Sequence, residues 1–459
     1  MSEPRRLHGA AVLVYSASAL RNFAFPLLVI VGATLLGGEF DARGLLRALT
    51  YGGIGLAAAV VMGMIRWQTT TYTIDTEAIH HHTGFLSTKD TDVRLDRIQA
   101  IDVQQGPLQR LFGVFAVDVQ TGAGAKGGEI SLPALTPAAV EELRAARPGA
   151  VHDVAREESE GRRLTGRELA VAALTAGQLG IVLPVLAGGF QIVSELFDPE
   201  SGEEAVRWLP QSASTIALVA LALVVVAWLL SAAGAVIAFG GFTVVRDGDR
   251  LRIRRGLVQR SEATVPVDRI RAVRVVEGVF RRPFGLAALT VEVIGYAEEA
   301  SAARTLFPLV RMRDVEAFLD EFLPELADDP VPSGRPPARA ARRYFVWPLA
   351  IGAAFTAAAW FFVGPVALVL LALSALYARA HWRAAAWRLR DGRLAVRSLV
   401  VARTTVLAPA RFRESHTLLQ NLFQRRAGLA DLSVAFGKST TARIRHLEAR
   451  DAQEAWAAL

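Results

Sequence analysis

Three times along the chain, a pair of uncharged runs is followed by a stretch in which apolar and polar residues alternate. Residues 22–38 lie uncharged between Arg21 and Glu39, and residues 48–65 between Arg47 and Arg66. Each approaches the roughly 20 residues that span a bilayer core. Residues 169–194 form a third run, and 208–245 contain a fourth. Residues 344–378 carry no charge at all. One helix of that length would reach about 52 Å, against a hydrocarbon core of about 30 Å. Gly364-Pro365 near its middle predicts two short spans joined by a tight turn. The pattern therefore predicts six spans in three hairpins.

After each pair the period changes from helical to two. Phe115, Val117 and Val119 alternate with Ala116, Asp118 and Gln120; Leu289, Val291 and Val293 repeat the pattern, as do Leu432, Val434 and Phe436. This is the signature of half-buried strands. Each β stretch closes in a helix. Thr136-Pro137 supplies an N-cap and a first helical residue, and Val315, Phe318, Leu319, Phe322 and Leu323 share one helical face. Residues 451–459 form the last. Residues 122–128 read as a glycine-rich turn. The expected organisation is hairpin 1–67 and module 68–150, a charged linker 151–163, hairpin 164–240 and module 241–327, a Pro- and Arg-rich linker 328–343, then hairpin 344–382 and module 383–459.

A short motif recurs in each β stretch. It reads Leu108-Gln109-Arg110-Leu111-Phe112-Gly113, then Phe280-Arg281-Arg282-Pro283-Phe284-Gly285, then Phe423-Gln424-Arg425-Arg426-Ala427-Gly428. Arg97 to Gly113 and Arg269 to Gly285 span 16 residues both times. In the third copy Ala410-Arg411-Phe412 takes the place of Asp-Arg-Ile, with one residue inserted before Gly428. The hairpins repeat as well, since Arg162-Arg163-Leu164 echoes Arg5-Arg6-Leu7. A fixed recurrence of this kind means tandem structural units.

Composition narrows the chemistry. The 459 residues are 52% hydrophobic, and the absence of Cys excludes disulfides and thiolate metal sites. The net charge of +7 rests on arginine, with Lys89, Lys126 and Lys438 the only lysines. Arg5, Arg6, Arg66, Arg162, Arg163, Arg167, Arg246, Arg342, Arg343, Arg379 and Arg383 lie at one set of span ends. Glu39, Asp41, Asp198, Glu200, Glu203 and Glu204 lie at the other, with Arg43, Arg47 and Arg207 as the only bases there. The positive-inside rule then puts both termini and all three modules on the cytoplasmic side of a plasma membrane.

Through Asp96-Arg97-Ile98, Asp268-Arg269-Ile270 and the repeated motif, nearly the whole chain resembles bacterial membrane proteins with tandem pleckstrin-homology-like (PH-like) domains, in which a helix pair precedes each domain. The resemblance implies a bent seven-stranded β-sandwich or barrel closed by a C-terminal helix, three times over. It carries no catalytic residues. Some members are associated with envelope stress and resistance to antimicrobial peptides.

Candidate chemistry is sparse. His80-His81-His82 invites a metal, but in a strand only His80 and His82 share a face, and the second copy has Arg252-Ile253-Arg254 there. A structural reading is preferred. No phosphate loop, nucleophile elbow or paired carboxylates with a plausible pocket are recognisable, so no enzyme and no cofactor are expected. The repeated motif has two readings. In one, Leu108, Phe280 and Phe423 plug the sandwich and the glycine takes a backbone that only glycine tolerates. In the other, Arg110, Arg282 and Arg425 contact anionic lipid or an acidic partner. The first is preferred, because repeats share first what folding needs. The leading expectation is a non-enzymatic membrane scaffold. Its partners are membrane lipid and either a smaller related membrane protein or a second copy, with no nucleic acid. The alternative is a transport component using Gln178, Gln191 and Glu195.

Overall fold

The computed structural model describes residues 4–20, 42–84, 87–121, 130–146, 161–175, 213–294, 304–437 and 440–459. The expected span 22–38, most of 169–194, the acidic loop residues 198–204, the glycine-rich turn and the transport candidates Gln178, Gln191 and Glu195 lie outside the described residues.

Among the described residues there are twenty strands, and the longer ones follow the two-residue period. The first repeat contributes β1 Arg5–Arg6, β2 Thr71–Ile74, β3 Ala78–Thr83, β4 Lys89–Arg94, β5 Ile98–Gln105, β6 Phe115–Thr121 and β7 Ile130–Leu135. The second contributes β8 Arg162–Arg163, β9 Thr243–Asp247, β10 Arg250–Arg255, β11 Arg260–Pro266, β12 Ile270–Glu277, β13 Leu286–Val293 and β14 Thr305–Arg311. The third contributes β15 Ala386–Arg390, β16 Arg393–Leu399, β17 Arg403–Pro409, β18 Ser415–Leu419, β19 Leu429–Ala435 and β20 Thr441–Glu448. Inward positions on alternate residues are apolar and buried, as with Val117, Val119, Leu289, Val291, Leu432 and Val434.

A helix follows the last strand of each repeat. Pro137–Ala145 is capped by Thr136, whose hydroxyl accepts from the Ala139 amide, and it buries Ala139, Val140 and Leu143. Val315–Phe322 buries Val315, Phe318, Leu319 and Phe322, continuing a chain of ring contacts from Phe242 through Phe307. Ala449–Ala458 buries Ala452 and Ala455 in the third core.

Compactness does not follow the repeat boundaries. One unit comprises Met1–Gly161, Val245–Pro266 and Gly295–Ala303; the other comprises Arg162–Val244, Val267–Ile294 and Arg304–Leu459. The second repeat is shared: β10 and β11 belong to the first unit, β12 to β14 to the other. The reason lies in strand pairing. In the first unit the order is β7-β6-β5-β11-β10, so β5 of the first repeat pairs with β11 of the second. In the other unit the order is β14-β13-β12-β17-β16-β15, so β12 pairs with β17 of the third repeat. Both joints have one register. The last residue of one strand meets the first of the other, Gln105 opposite Arg260 and Glu277 opposite Arg403. Each of these joints covers one strand edge from each of two neighbouring repeats, edges that in isolated sheets are prone to association.

Three described helices are long and apolar enough to cross a membrane: Leu49–Gln68, Ala338–Phe361 and Gly364–Ala384. A further helix, Ala213–Phe239, runs 27 residues and exposes Leu218, Leu221, Leu229 and Leu230. The uncharged run 344–378 is two helices, Ala341–Val363 and Leu368–Ala384, broken at Gly364. There φ is 57°, and Pro365 has no amide to continue the ladder. The helices approach closely at Gly352, where a β-carbon would lie 2.1 Å from Ser374 Oγ.

In the first unit two carboxylates meet between strands, Asp102 buried and Asp118 half-buried. Asp102 of β5 faces Asp118 of β6 and accepts a 2.7 Å hydrogen bond from Gln120 Nε2. Burial, and then the neighbouring Asp118, push the Asp102 carboxyl up to about 7.

Candidate functional site

The repeated motif forms a tight turn between two strands in every copy. The first is a helix Pro107–Leu111, the second a 3-10 turn Arg282–Phe284, and the third a helix Leu422–Arg426. Gly113, Gly285 and Gly428 have φ of 64°, 61° and 63°, so the expected left-handed glycine is present three times. Each glycine amide donates to the carbonyl of the motif arginine, Arg110, Arg282 or Arg425, at 3.3, 3.1 and 3.2 Å.

The turn does not plug the sandwich with its first residue. Leu108 is half-buried, whereas Phe280 and Phe423 are 55% and 68% exposed. The inward residue is the second: Arg281 and Gln424 are buried, and Gln109 is half-buried. So short a turn has a single inner position, and polar side chains that bond backbone and neighbours take it. Leu111, Phe112, Phe284 and Leu422 are exposed instead, beside exposed Arg110, Arg282 and Arg425.

The third copy keeps the spacing of the other two. Its 3-10 turn Ala410–Phe412 matches Leu95–Arg97 and Val267–Arg269, and Phe412 lies 16 residues before Gly428. Nothing is inserted, and Phe412, rather than Arg411, stands where Arg97 and Arg269 stand. Arg271 lies 4.6 Å over the Phe412 ring.

Two of the turns are tied to the bases of apolar helices. In the second repeat Arg281 donates to Ala172 O at 3.2 Å and to Thr175 Oγ1 at 3.1 Å, at the end of the helix Gly166–Thr175. Its burial pushes the guanidinium pKa down from its ordinary value. In the third repeat Arg343, in the first turn of Ala341–Val363, donates to Phe423 O. Gln424 Nε2 donates to Asp431 Oδ1 at 2.6 Å and to His446 Nδ1 at 3.0 Å. Asp431 also accepts from the His446 amide at 2.8 Å and from Arg443 at 3.1 Å. An Nδ1 that accepts leaves the neutral tautomer with its proton on Nε2, and burial pushes the His446 pKa down in the same sense. The His446 backbone is left-handed, φ 58°, a cost that the surrounding bonds sustain. Tyr344 packs edge-on against both His381 and His446, and its hydroxyl donates to Arg445 O at 2.9 Å. Sequence reasoning missed this network. Asn421 and Gln424 were its visible signal, as a capping box.

His80 and His82 face the neighbouring strand: His80 Nδ1 is 2.6 Å from Asp92 Oδ1, and His82 pairs with Asp90. Among the described residues no three His, Asp or Glu side chains are grouped to hold a metal ion.

Comparison with known proteins agrees with this architecture. A protein-family model described as "Bacterial PH domain" matches residues 26–146, 204–325 and 348–459. The UPF0699 transmembrane protein YdbT of Bacillus subtilis (strain 168) is 24% identical, over 99% of this chain and 96% of its own length. No solved structure matches. With three repeats matched over most of its length, the chain is a membrane protein that belongs to the bacterial PH domain family.

Proposed function

We propose that the protein is a non-enzymatic scaffold at the inner face of the bacterial plasma membrane, recruiting another membrane chain by β-strand addition to its open edge. Six spans with both termini cytoplasmic form the anchor, and envelope defence is the setting that the resemblance implies. Arginine at one set of span ends supports this orientation.

One observation carries the scaffold reading. β18 is the counterpart of β5 and β12, and it is the outer strand of the three-stranded sheet β18-β19-β20. No strand among the described residues pairs with its outer side. Its sequence Ser-His-Thr-Leu-Leu carries no acid, lysine or arginine, and Leu419 is 47% exposed. The edge strand β4 of the first repeat is different. β4 reads Lys-Asp-Thr-Asp-Val-Arg, the charged composition that protects an edge from pairing. A second copy offering β4 is therefore a poor partner, and a PH-like sheet of a smaller related membrane protein is a good one. Strand addition supplies affinity through main-chain hydrogen bonds.

The test is a Thr417→Lys/Leu419→Lys variant of the full chain, which adds charge to the open edge alone. The partner membrane protein should be lost from detergent extracts while the melting temperature is kept. Retention of the partner by the folded variant contradicts the reading.

A further inference from the structure

The two helices of the third hairpin enclose a cleft of about 570 Å³ that runs from the base of the third module into the apolar part of the hairpin. Its mouth is cationic. Arg343 and Arg445 line it together with His446. Arg445 is exposed and has no acidic partner among the described residues. Arg343 spends one hydrogen bond on Phe423 O, and a guanidinium has five donors. His446 is held with Nδ1 accepting, so its donor is Nε2–H. Below the mouth the wall is apolar: Trp347, Ile351 and Phe355 come from one helix, Leu370 and Leu373 from the other. Trp347 is 73% exposed one turn below Arg343, the level at which aromatic side chains meet headgroups. His381 also lines the cleft, and its Nδ1 is buried without a hydrogen-bond partner.

We propose that this cleft binds an anionic phospholipid, its phosphate between Arg343 and Arg445 and one acyl chain along Ile351, Phe355 and Leu373. The two halves of the cleft match the two halves of one ligand. A soluble phosphate would use the mouth and leave the slot unfilled. A neutral lipid would fill the slot and leave two guanidinium groups unpaired. The site rests on the proposed orientation only in that the arginine end then faces the anionic leaflet.

The test is native mass spectrometry of the full chain in detergent with equimolar phosphatidylglycerol and phosphatidylcholine. We expect retention of phosphatidylglycerol on the order of tenfold over phosphatidylcholine, the effect of two basic groups discounted for screening. Arg343→Gln/Arg445→Gln should abolish the preference, and Arg445→Lys with Arg343 intact should keep most of it. Ile351→Trp, which fills the slot, should reduce retention of both lipids. Equal retention in the native protein overturns the proposal, as does an unchanged preference in a folded double Gln variant. Full competition by millimolar inorganic phosphate would also overturn it, by making a soluble anion the ligand. Detergent abolishes sidedness, so the orientation can fail its own labelling test while this binding stands.

Discussion

Glu277, the last residue of β12, is 1% exposed, and both its carboxylate oxygens accept from Arg403, the first residue of β17 in the next repeat. The Nε bond is 2.6 Å. In the first unit the same two positions hold Gln105 and Arg260, and the contact there is Gln259 Nε2 to Gln104 Oε1 at 3.0 Å. A register shared by two joints and fixed by an ion pair in one makes edge pairing the way these repeats are joined.

Removing one partner of a buried pair leaves an uncompensated charge. Arg403→Met should therefore destabilise the protein by about 3–5 kcal/mol, whereas Arg403→Met with Glu277→Leu should recover most of the loss. Denaturant unfolding of the full chain in detergent measures both. A single variant that unfolds at the native midpoint would mean that the pair does not hold the joint.

Asp102 gives a pH dependence of definite sign. Its pKa in the fold, about 7, lies above the ordinary 3.8. Between those values the unfolded chain has lost the proton and the folded one keeps it. The contribution of Asp102 to stability is therefore full in acid and falls as pH rises from about 4 to about 7, by up to about 4 kcal/mol. Asp102→Asn should remove that fall. The difference in melting temperature between variant and native protein should grow in favour of the variant up to pH 7 and then level off. A difference that is flat with pH would contradict the burial argument.

The exposed apolar residues of the turns should matter little to stability. Phe280→Ala and Phe423→Ala are expected to cost under about 1 kcal/mol, as for other exposed sites. Gly285→Ala forces a left-handed residue and should cost about 1–2 kcal/mol. Phe284→Trp in nanodiscs should be quenched by brominated lipid if the turn meets the membrane surface. Absence of quenching would place the turn in water.

Cysteine labelling reads the orientation, since the native chain has none. Gly202→Cys should react with an impermeant reagent from outside, and Lys89→Cys and Arg450→Cys should not. Outside labelling of Arg450→Cys would invert the third module.

Much of the fold was legible because its signals are local. Alternation at Leu289, Val291 and Val293, the Thr136-Pro137 helix start and the break at Gly364-Pro365 each depend on a few neighbouring residues. The motif was legible as a turn closed by glycine, but which side chain faced inward was not. Phe280 and Arg281 are adjacent, and only the helix against which Arg281 packs decides between them. Edge pairing between repeats was invisible for a similar reason. Glu277 and Arg403 are far apart in sequence, and a strand gives no sign of which neighbour lies beyond its own sheet. The left-handed backbone at His446 likewise answers to Gln424 and Asp431, not to its own residue type.

The measurement closest to the central claim is site-specific photo-crosslinking from β18 in living cells. A photoreactive residue at Thr417 should capture a second membrane chain carrying a PH-like module, and the peptide captured should come from the outer strand of that module's first sheet. The same probe at Thr91 of β4 should capture nothing. Crosslinks from Thr91 but not Thr417, or crosslinks from Thr417 only to lipid, would contradict the account.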